Sequence, residues 1–383
     1  MRLLIVGQGS RHTGYARVLR TLAVELAHEF DVFFLCLMSP APPALAGVRY
    51  IAPLLRSDPY GLAELPAVLS RVRPDVVLAC HDPQILAAQT KTVRAHGGSR
   101  IVLYLPLEWQ EQDPSMLREL ASADRLVCYT DTARRWIQAR TGLCAPILSE
   151  PIPHGVDRQV FGPVDAEGLP DRRAGRAVAR AAARRLLGLG DRETVVLNAN
   201  RDTPRKRLGT TLQAFALVAD KAPDTRLILT HGQRLRDDAR RPSLRGRVLI
   251  PDRPPDTDTA LNHYYNSADV GLNTCTAEGW GMVAFEHAAA GVAQVMPGHP
   301  ALREIWGSAA GFVPVAPSAV DGYGPVDPAD VAEVLLPLCR DREQADRLGR
   351  RARDRARSAE FDWAGIARRW SALLRDTVAG SGC

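Results

Sequence analysis

The residues best suited to chemistry lie in a glycine-bearing segment about three quarters of the way along the chain. Two glutamates, Glu278 and Glu286, stand eight residues apart, and Gly279 and Gly281 lie between them. An apolar run, 268–274, precedes the segment and strong helix formers follow it, which predicts strand, turn and helix in that order. Glycines allow close approach to a ligand, and amides at a helix start favour a phosphate or a polarised sugar oxygen.

A second segment carries cations after another predicted strand. The strand pattern covers 194–199, and Arg201 and Lys206 follow it. Two cations at the end of a strand can match the charge of a departing diphosphate without a metal. Lysine is rare here, because only three of the 49 basic residues are lysine. The alternative interpretation is a solvated basic loop, just as the glutamate segment alone could be an ordinary turn with two solvated carboxylates.

Both segments resemble motifs of one enzyme family. The run Glu278-Gly-Trp-Gly-Met282, continued to Glu286, is similar to the E-G-F-G and E-x7-E signature of retaining GT-B glycosyltransferases of family 4, the glycosyl transferases group 1. The segment 200–207 resembles the G-R-x-x-x-x-K-G loop of that family. Asn200 and Arg207 replace the two glycines of the loop, which leaves its backbone conformation open.

The resemblance assigns roles to these residues. It implies that Glu278 and the residues after it hold the donor sugar, that Glu286 binds the ribose hydroxyls, and that Arg201 and Lys206 clamp the pyrophosphate. The predicted contacts of the nucleotide-sugar are Gly14, Arg201, Lys206, Glu278, Gly279, Trp280, Gly281, Met282 and Glu286.

The glycine-rich loop after the first strand admits other interpretations, and two of them fail. A dinucleotide-binding loop requires Gly-x-Gly-x-x-Gly, but here the third glycine is two places late. A P-loop requires a lysine after Gly-x4-Gly, but Tyr15 follows Gly14. What remains resembles the glycine loop of family 4, which implies Gly14 against the donor and Arg11 and His12 facing the cleft. A plain helix start is the alternative.

A catalytic group on the acceptor side is harder to identify. Many family members carry a histidine after the strand that corresponds to 101–105, but this chain has none there. The candidates are His12, Glu108 and His81 with Asp82, of which His81 ends a predicted strand at the edge where ligands bind. A structural histidine is the alternative for His81. The predicted catalytic set is therefore Glu278, Arg201, Lys206 and His81.

The elements that must position these residues form an α/β pattern. Short apolar runs alternate with helical segments throughout, which predicts parallel sheets covered on both faces. A chain of 383 residues exceeds one core, so two domains are expected. We expect a GT-B fold of two doubly wound, Rossmann-like domains facing a cleft: 1–158 on the acceptor side, 159–358 binding the nucleotide-sugar, and 359–383 as a helix crossing back.

Two local patterns have structural explanations. The segment 152–161 resembles the I-P-N-G-V-D-x-x-x-F segment at which family 4 chains leave their first domain, with His154 in place of the asparagine. Asp256-Thr-Asp258 looks like a metal-binding D-x-D, but Thr257 or Asp258 as a helix cap is the better account. No metal and no cofactor are expected beyond the nucleotide-sugar donor.

Composition limits the partners. The net charge of +6 is modest, and no aromatic-interleaved basic motif indicates nucleic acid. Seven cysteines without a Cys-x-x-Cys pair indicate buried thiols. No membrane-length apolar run or signal pattern is present, so the expected location is cytoplasmic. The basic helix 134–140 leaves open a weak contact with a membrane surface.

The predicted function is transfer of a sugar from a nucleotide-diphosphate donor to an acceptor hydroxyl with retention of configuration, as a hexosyltransferase would perform it. The acceptor is expected to be a glycan or a small molecule. The alternative is a non-catalytic GT-B module that binds a nucleotide or glycan. A third interpretation keeps the fold and changes the reaction to that of an epimerase or a phosphorylase.

Overall fold

A computed structural model describes residues 1–9, 13–38, 44–52, 57–107, 114–316 and 321–380. The chain divides into two compact units. The first comprises Met1–Gly155 with Ala359–Cys383, and the second comprises Val156–Ser358.

The first unit contains a parallel sheet in which six strands pair in the order β3-β2-β1-β4-β5-β6 within the described residues. Its strands are β1 (Arg2–Gln8), β2 (Asp31–Leu37), β3 (Val48–Ile51), β4 (Val76–Cys80), β5 (Arg100–Leu105) and β6 (Arg125–Cys128). Its helices are α1 (Gly14–Leu26), α2 (Leu65–Val72), α3 (Pro83–His96), α4 (Pro114–Glu119) and α5 (Asp131–Thr141), with α14 (Trp363–Ala379) at the end of the chain.

The second unit repeats the plan, with strands in the order β12-β11-β10-β7-β8-β9. Its strands are β7 (Thr194–Asn198), β8 (Thr225–Leu229), β9 (Val248–Leu249), β10 (Val270–Leu272), β11 (Ala293–Pro297) and β12 (Gly311–Val313). Its helices are α6 (Arg176–Leu187), α7 (Leu208–Ala219), α8 (Arg236–Ala239), α9 (Asp258–Ser267), α10 (Met282–Ala289), α11 (Pro300–Trp306), α12 (Pro328–Arg340) and α13 (Arg342–Ala356).

The central strands explain why the chain folds this way. The five residues of β4 and the five of β7 are all buried, as expected for parallel strands covered by helices on both faces. Both sheets have the Rossmann strand order, in which the fourth strand lies beside the first and later strands are added in the opposite direction along the sheet. These switch points lie between β1 and β4 and between β7 and β10, and ligands bind at the carboxyl ends of strands there.

The C-terminal helix forms and returns to the first unit, as predicted. Asp362 accepts a hydrogen bond from the Gly365 amide at 3.3 Å and so caps α14. The helix packs on α1 and β5 of the first unit. The chain therefore returns to its first sheet after completing the second, as the GT-B prediction required.

His154 has a structural environment within the first unit. Its Nδ1 lies 2.8 Å from the Tyr104 hydroxyl, and the imidazole is buried. Burial lowers the pKa of His154 to about 3, so the ring is neutral at pH 7. Its place in the fold favours a packing role.

The prediction of buried thiols is confirmed for most of the described cysteines. Five described cysteines, Cys36, Cys80, Cys128, Cys275 and Cys339, are buried free thiols, whereas Cys144 is a free thiol at the surface. In the part of the chain that the structure describes, no helix combines the length and apolar composition needed to cross a membrane.

Candidate functional site

The candidate site lies at the switch point of the second sheet. There β7 ends at Asn198 and β10 ends at Leu272, and the loops that follow are 199–207 and 273–281. The strands are hydrogen-bonded neighbours, so their loops emerge side by side at the carboxyl edge. The sheet topology therefore brings together two segments that are about 70 residues apart in sequence.

A buried carboxylate with two cations forms the centre of the site. The ammonium of Lys206 donates to Oε2 of Glu278, and Nη1 of Arg205 donates to Oε1 of Glu278 at 3.3 Å. Arg205 also donates to the carbonyl of Ala277 at 2.6 Å. The side chain of Glu278 is 3% exposed, whereas those of Lys206 and Arg205 are 14% and 24% exposed. The acid is thus covered, and both cations reach solvent.

The two cations keep Glu278 ionised. Burial by itself would raise the pKa of the Glu278 carboxyl, but the adjacent charges of Lys206 and Arg205, together with their hydrogen bonds, outweigh burial and lower the pKa to about 2. The Lys206 ammonium has three donors, and within the described residues Glu278 is its hydrogen-bond partner. Donor capacity therefore remains for an anionic ligand.

Hydroxyl side chains join the two loops. The Thr274 hydroxyl donates to the carbonyls of Lys206 and Arg207, at 3.2 Å and 3.0 Å. It also lies 2.7 Å from Thr211 Oγ1 at the start of α7. The amide of Thr276 donates to the carbonyl of Arg205 at 2.9 Å. These short polar residues fix the backbone that presents Arg205 and Lys206.

The glycine turn behaves as the sequence predicts. Gly281 has φ of +86°, a left-handed conformation that favours glycine, and α10 begins directly after it at Met282. A Cβ on Gly281 would lie 3.5 Å from the Glu278 side chain. Gly279 is buried, and Trp280 is covered by stacking on Phe285 with ring centroids 5.0 Å apart. Trp280 thus anchors the turn from the protein side.

The loop 199–207 contains a backbone conformation typical of glycine at a position that is not glycine. Arg207 has φ of +47°, so an arginine occupies a left-handed position where the family has glycine. Asn200 is instead buried and donates from Nδ2 to Asn198 Oδ1 at 2.8 Å. The two departures from the family loop therefore have different structural consequences.

Arg201, the predicted partner of Lys206, lies elsewhere on the loop. The Arg201 side chain is exposed. Burial lowers the pKa of His231, which follows β8, and the Arg201 charge lies close enough to that histidine to lower its pKa further. Arg205 contacts Glu278 instead, and sequence reasoning missed it. Three arginines flank Lys206 within six positions, and no periodicity indicates which of them turns inward.

Glu286 lies on α10, the helix that begins at the glycine turn. It is fully buried, and the Tyr265 hydroxyl of α9 donates to its Oε2 at 2.8 Å. Of the predicted set, the structure brings Lys206 and Glu278 into direct contact.

The first unit has a polar group at its own switch point. His81 follows β4 and is 2% exposed, and its Nδ1 accepts from the Asp82 amide at 2.8 Å. Its ring packs against Tyr15 and Tyr60, and Tyr15 donates to Asp82 at 3.2 Å. Burial lowers the pKa of His81, against the opposing effect of the Asp82 charge.

The hydrogen bond at Nδ1 fixes the chemistry of His81. A neutral ring that accepts at Nδ1 carries its proton on Nε2, so Nε2 is a donor and not a base. Nε2 is buried and has no hydrogen-bond partner among the described residues.

Other predicted positions fall into three groups. Gly14 is the exposed first residue of α1. Arg11, His12 and Glu108 lie outside the described residues. Asp256-Thr-Asp258 is a helix start, because Thr257 Oγ1 accepts from the Ala260 amide at 3.1 Å, which confirms the capping prediction. Within the described ranges, no group of three or more His, Cys, Asp or Glu side chains is arranged to hold a metal.

Comparison with known proteins agrees with this description. The family model of glycosyl transferases group 1 matches residues 180–355, which confirms the resemblance over that part of the chain. D-inositol 3-phosphate glycosyltransferase of Streptomyces avermitilis is 31% identical over 266 residues, or 64% of this chain and 50% of that protein. The protein of that name from Streptomyces bingchenggensis is 28% identical over 264 residues, or 65% and 52%. The chain thus spans about half the length of these relatives.

Solved structures confirm the predicted fold. Sucrose-phosphate synthase from Thermosynechococcus elongatus superposes with a TM-score of 0.77 at 19% identity, covering 100% of both chains. The Anabaena protein HepE in complex with UDP-glucose superposes with a TM-score of 0.74 at 16% identity, covering 98% of this chain and 100% of the other. The fold is therefore GT-B, with a Rossmann-like sheet in each unit.

Proposed function

We propose that this chain moves a sugar from a nucleotide-diphosphate donor to an acceptor hydroxyl, with retention of the anomeric configuration. The observation that supports the proposal is the cluster of Lys206, Arg205 and Glu278 at the switch point of the second sheet. Two part-exposed cations beside a buried carboxylate supply charge for a diphosphate and an acceptor for sugar hydroxyls. The family match covers this cluster.

The donor would be bound by both segments of the site. Lys206 and Arg205 would turn part of their donor capacity toward the β-phosphate, while Glu278 stays ionised between them. The turn from Gly279 to Gly281 would bring backbone amides to the sugar and phosphate. Met282 begins the helix that continues to Glu286, the residue we propose for the ribose, which would require the Tyr265 contact to open or be shared.

The reaction needs no strong base from the protein. The bond between the anomeric carbon and the β-phosphate oxygen breaks, and the acceptor oxygen bonds to that carbon on the same face. The acceptor proton passes to the departing phosphate oxygen, so a nucleoside diphosphate leaves and charge balances. Lys206 and Arg205 stabilise the negative charge that grows on the leaving group.

On the acceptor side, we propose that His81 donates a hydrogen bond from Nε2. Its neutral ring, held by the Asp82 amide, orients that proton among the aromatic rings of Tyr15 and Tyr60. The name of the related proteins makes D-inositol 3-phosphate the first acceptor to test.

The test is release of diphosphate from a panel of UDP-, GDP-, ADP- and TDP-sugars, with and without D-inositol 3-phosphate. We expect one donor to release its nucleoside diphosphate slowly alone and faster with an acceptor, and NMR of the product to show the anomeric configuration of the donor. Binding of a nucleotide-sugar without release under either condition would favour the non-catalytic module. An inverted product would contradict retention and leave transfer intact.

A further inference from the structure

A group of four arginines in the second unit has no role in the site above. We call Arg158, Arg172, Arg353 and Arg357 the arginine cluster. Backbone carbonyls tie its members together: Arg172 Nε donates to the carbonyl of Arg158 at 3.1 Å, and Arg353 Nη2 donates to that of Arg172 at 3.3 Å. Arg158 Nη2 donates to the carbonyl of Ser358 at 3.2 Å. Each of these bonds uses one of the five donors of a guanidinium.

Three of the four arginines in the cluster have no carboxylate partner among the described residues. Among the described residues, no carboxylate lies within 4 Å of the guanidinium of Arg172, Arg353 or Arg357. Burial first, and then the charges of Arg353, Arg158 and Arg172, lower the pKa of Arg357, while Asp354 opposes them. Like charges held together in this way are stabilised when an anion binds between them.

A pocket of about 500 Å³ opens beside the cluster. Arg158, Arg172 and Arg173 line it together with Asp171, whose carboxylate accepts from the Arg173 amide at 2.8 Å. This volume exceeds that of an inorganic phosphate and lies in the range of small-molecule sites. The pocket can therefore hold the organic part of a phosphate ester.

The cluster lies away from the proposed sugar-transfer site. Arg353 Cδ is 3.7 Å from the position a Cβ would take on Gly291, two residues before β11 begins. That is the amino edge of the second sheet, whereas Lys206 and Glu278 are at the carboxyl edge. A ligand at the cluster would therefore occupy a second, separate site.

We infer that the arginine cluster and its pocket bind a phosphorylated small molecule. The phosphoryl group contacts Arg172, Arg353 and Arg357, whose planar guanidinium groups match its oxygens in pairs, and the rest of the ligand lies in the pocket. The inference is independent of the sugar-transfer proposal.

The experiment uses inorganic pyrophosphate as the probe and calorimetric titration of the full chain. The Lys206→Ala background weakens binding at the carboxyl edge. In that background we expect pyrophosphate to bind, and Arg353→Gln or Arg357→Gln to weaken it at least tenfold. Arg350→Gln, an exposed arginine of α13 outside the cluster, is the matched control and should leave the affinity unchanged.

Three results would overturn the inference. The first is absence of pyrophosphate binding, and the second is equal affinity in the cluster variants and the control. The third is binding to phosphatidylglycerol vesicles without binding to pyrophosphate, which would indicate a lipid surface. Arg357→Gln should leave the unfolding midpoint without ligand unchanged or raised, because it removes one of several repelling cations. A lowered midpoint together with unchanged affinity would make the cluster structural.

Discussion

Two buried carboxylates flank the same short strand at its opposite ends. Asp269 precedes β10 at the amino edge of the sheet, and Glu278 follows it at the carboxyl edge. The Asp269 side chain is 1% exposed and accepts from Arg184 at 2.6 Å, from Arg180 at 3.0 Å and from the Val195 amide at 2.8 Å. Both acids are therefore covered, and each accepts hydrogen bonds from two cationic side chains.

The cations at the two edges differ in how many hydrogen-bond donors remain for a ligand. Arg184 is 1% exposed, and it also donates to the carbonyls of Ser267, Gly190, Asp191 and Glu193. Lys206 is 14% exposed and bonds to Glu278 alone within the described residues. Burial of an ion pair therefore does not identify a site. A candidate site is identified by hydrogen-bond donors that remain unused at the carboxyl edge of the sheet.

The largest expected effect is on stability at the amino edge. Asp269→Asn leaves the buried Arg184 without its carboxylate, which we expect to lower the free energy of unfolding by about 3–5 kcal/mol. Urea denaturation measures the change. Asp237→Asn, whose carboxylate is 96% exposed in its pair with Arg240, is the control and should change stability by less than about 0.5 kcal/mol. A similar loss in both variants would remove the contrast.

The second effect is the pH dependence at the carboxyl edge. The pKa of Glu278 is lowered from 4.5 to about 2, so its ionisation stabilises the fold above pH 4.5, and that stabilisation is lost as the pH falls toward 2. The stability difference between the wild type and Glu278→Gln, about 2–3 kcal/mol at pH 7, should therefore shrink on acidification. Urea denaturation at pH 7, 5, 4 and 3 measures it. A constant difference would show that the two cations do not control this carboxyl.

A third comparison separates two arginines of one loop. Arg205→Ala should weaken nucleoside diphosphate binding about tenfold, as expected for loss of one charged hydrogen bond. Arg201→Ala should weaken it less than about threefold, since that side chain is exposed and away from Glu278. Calorimetric titration of both variants measures the ratio. The reverse order would restore the assignment predicted from the sequence.

The smallest effect concerns backbone strain. Arg207→Gly should raise the free energy of unfolding by about 0.5–1 kcal/mol, because glycine adopts a φ of +47° without strain. Arg240→Gly, at a right-handed position with φ of −86°, is the control and should lower stability. Thermal unfolding measures both. A destabilised Arg207→Gly would show that the arginine side chain, and not the backbone, determines stability there.

The sequence predicted the central sheet strands because they are apolar and fully buried. It missed β3 and β12, and both are edge strands with partly exposed residues, so neither has a strong pattern. Edge position alone does not explain the two misses, because β6 and β9 are also edge strands and were predicted.

The site was predicted in part for a similar reason. Lys206 and Glu278 were found because lysine is rare here and the glutamate stands in a recognisable turn. Arg205 was missed because the orientation of a side chain in a single 3₁₀ turn, Pro204–Lys206, depends on contacts with Ala277 and Thr276 far along the sequence. The covering of Glu286 by Tyr265 is likewise a tertiary contact that no local pattern reports.

The most direct test of the central claim is calorimetric titration of a nucleoside diphosphate, taken from the donor found in the panel, against three proteins. The wild type and Lys221→Ala, an exposed lysine after α7, should bind equally, and Lys206→Ala should bind with an affinity lower by about 1.5–3 kcal/mol. Equal affinities in all three proteins would contradict the claim that Lys206 at the carboxyl edge of the second sheet holds the diphosphate.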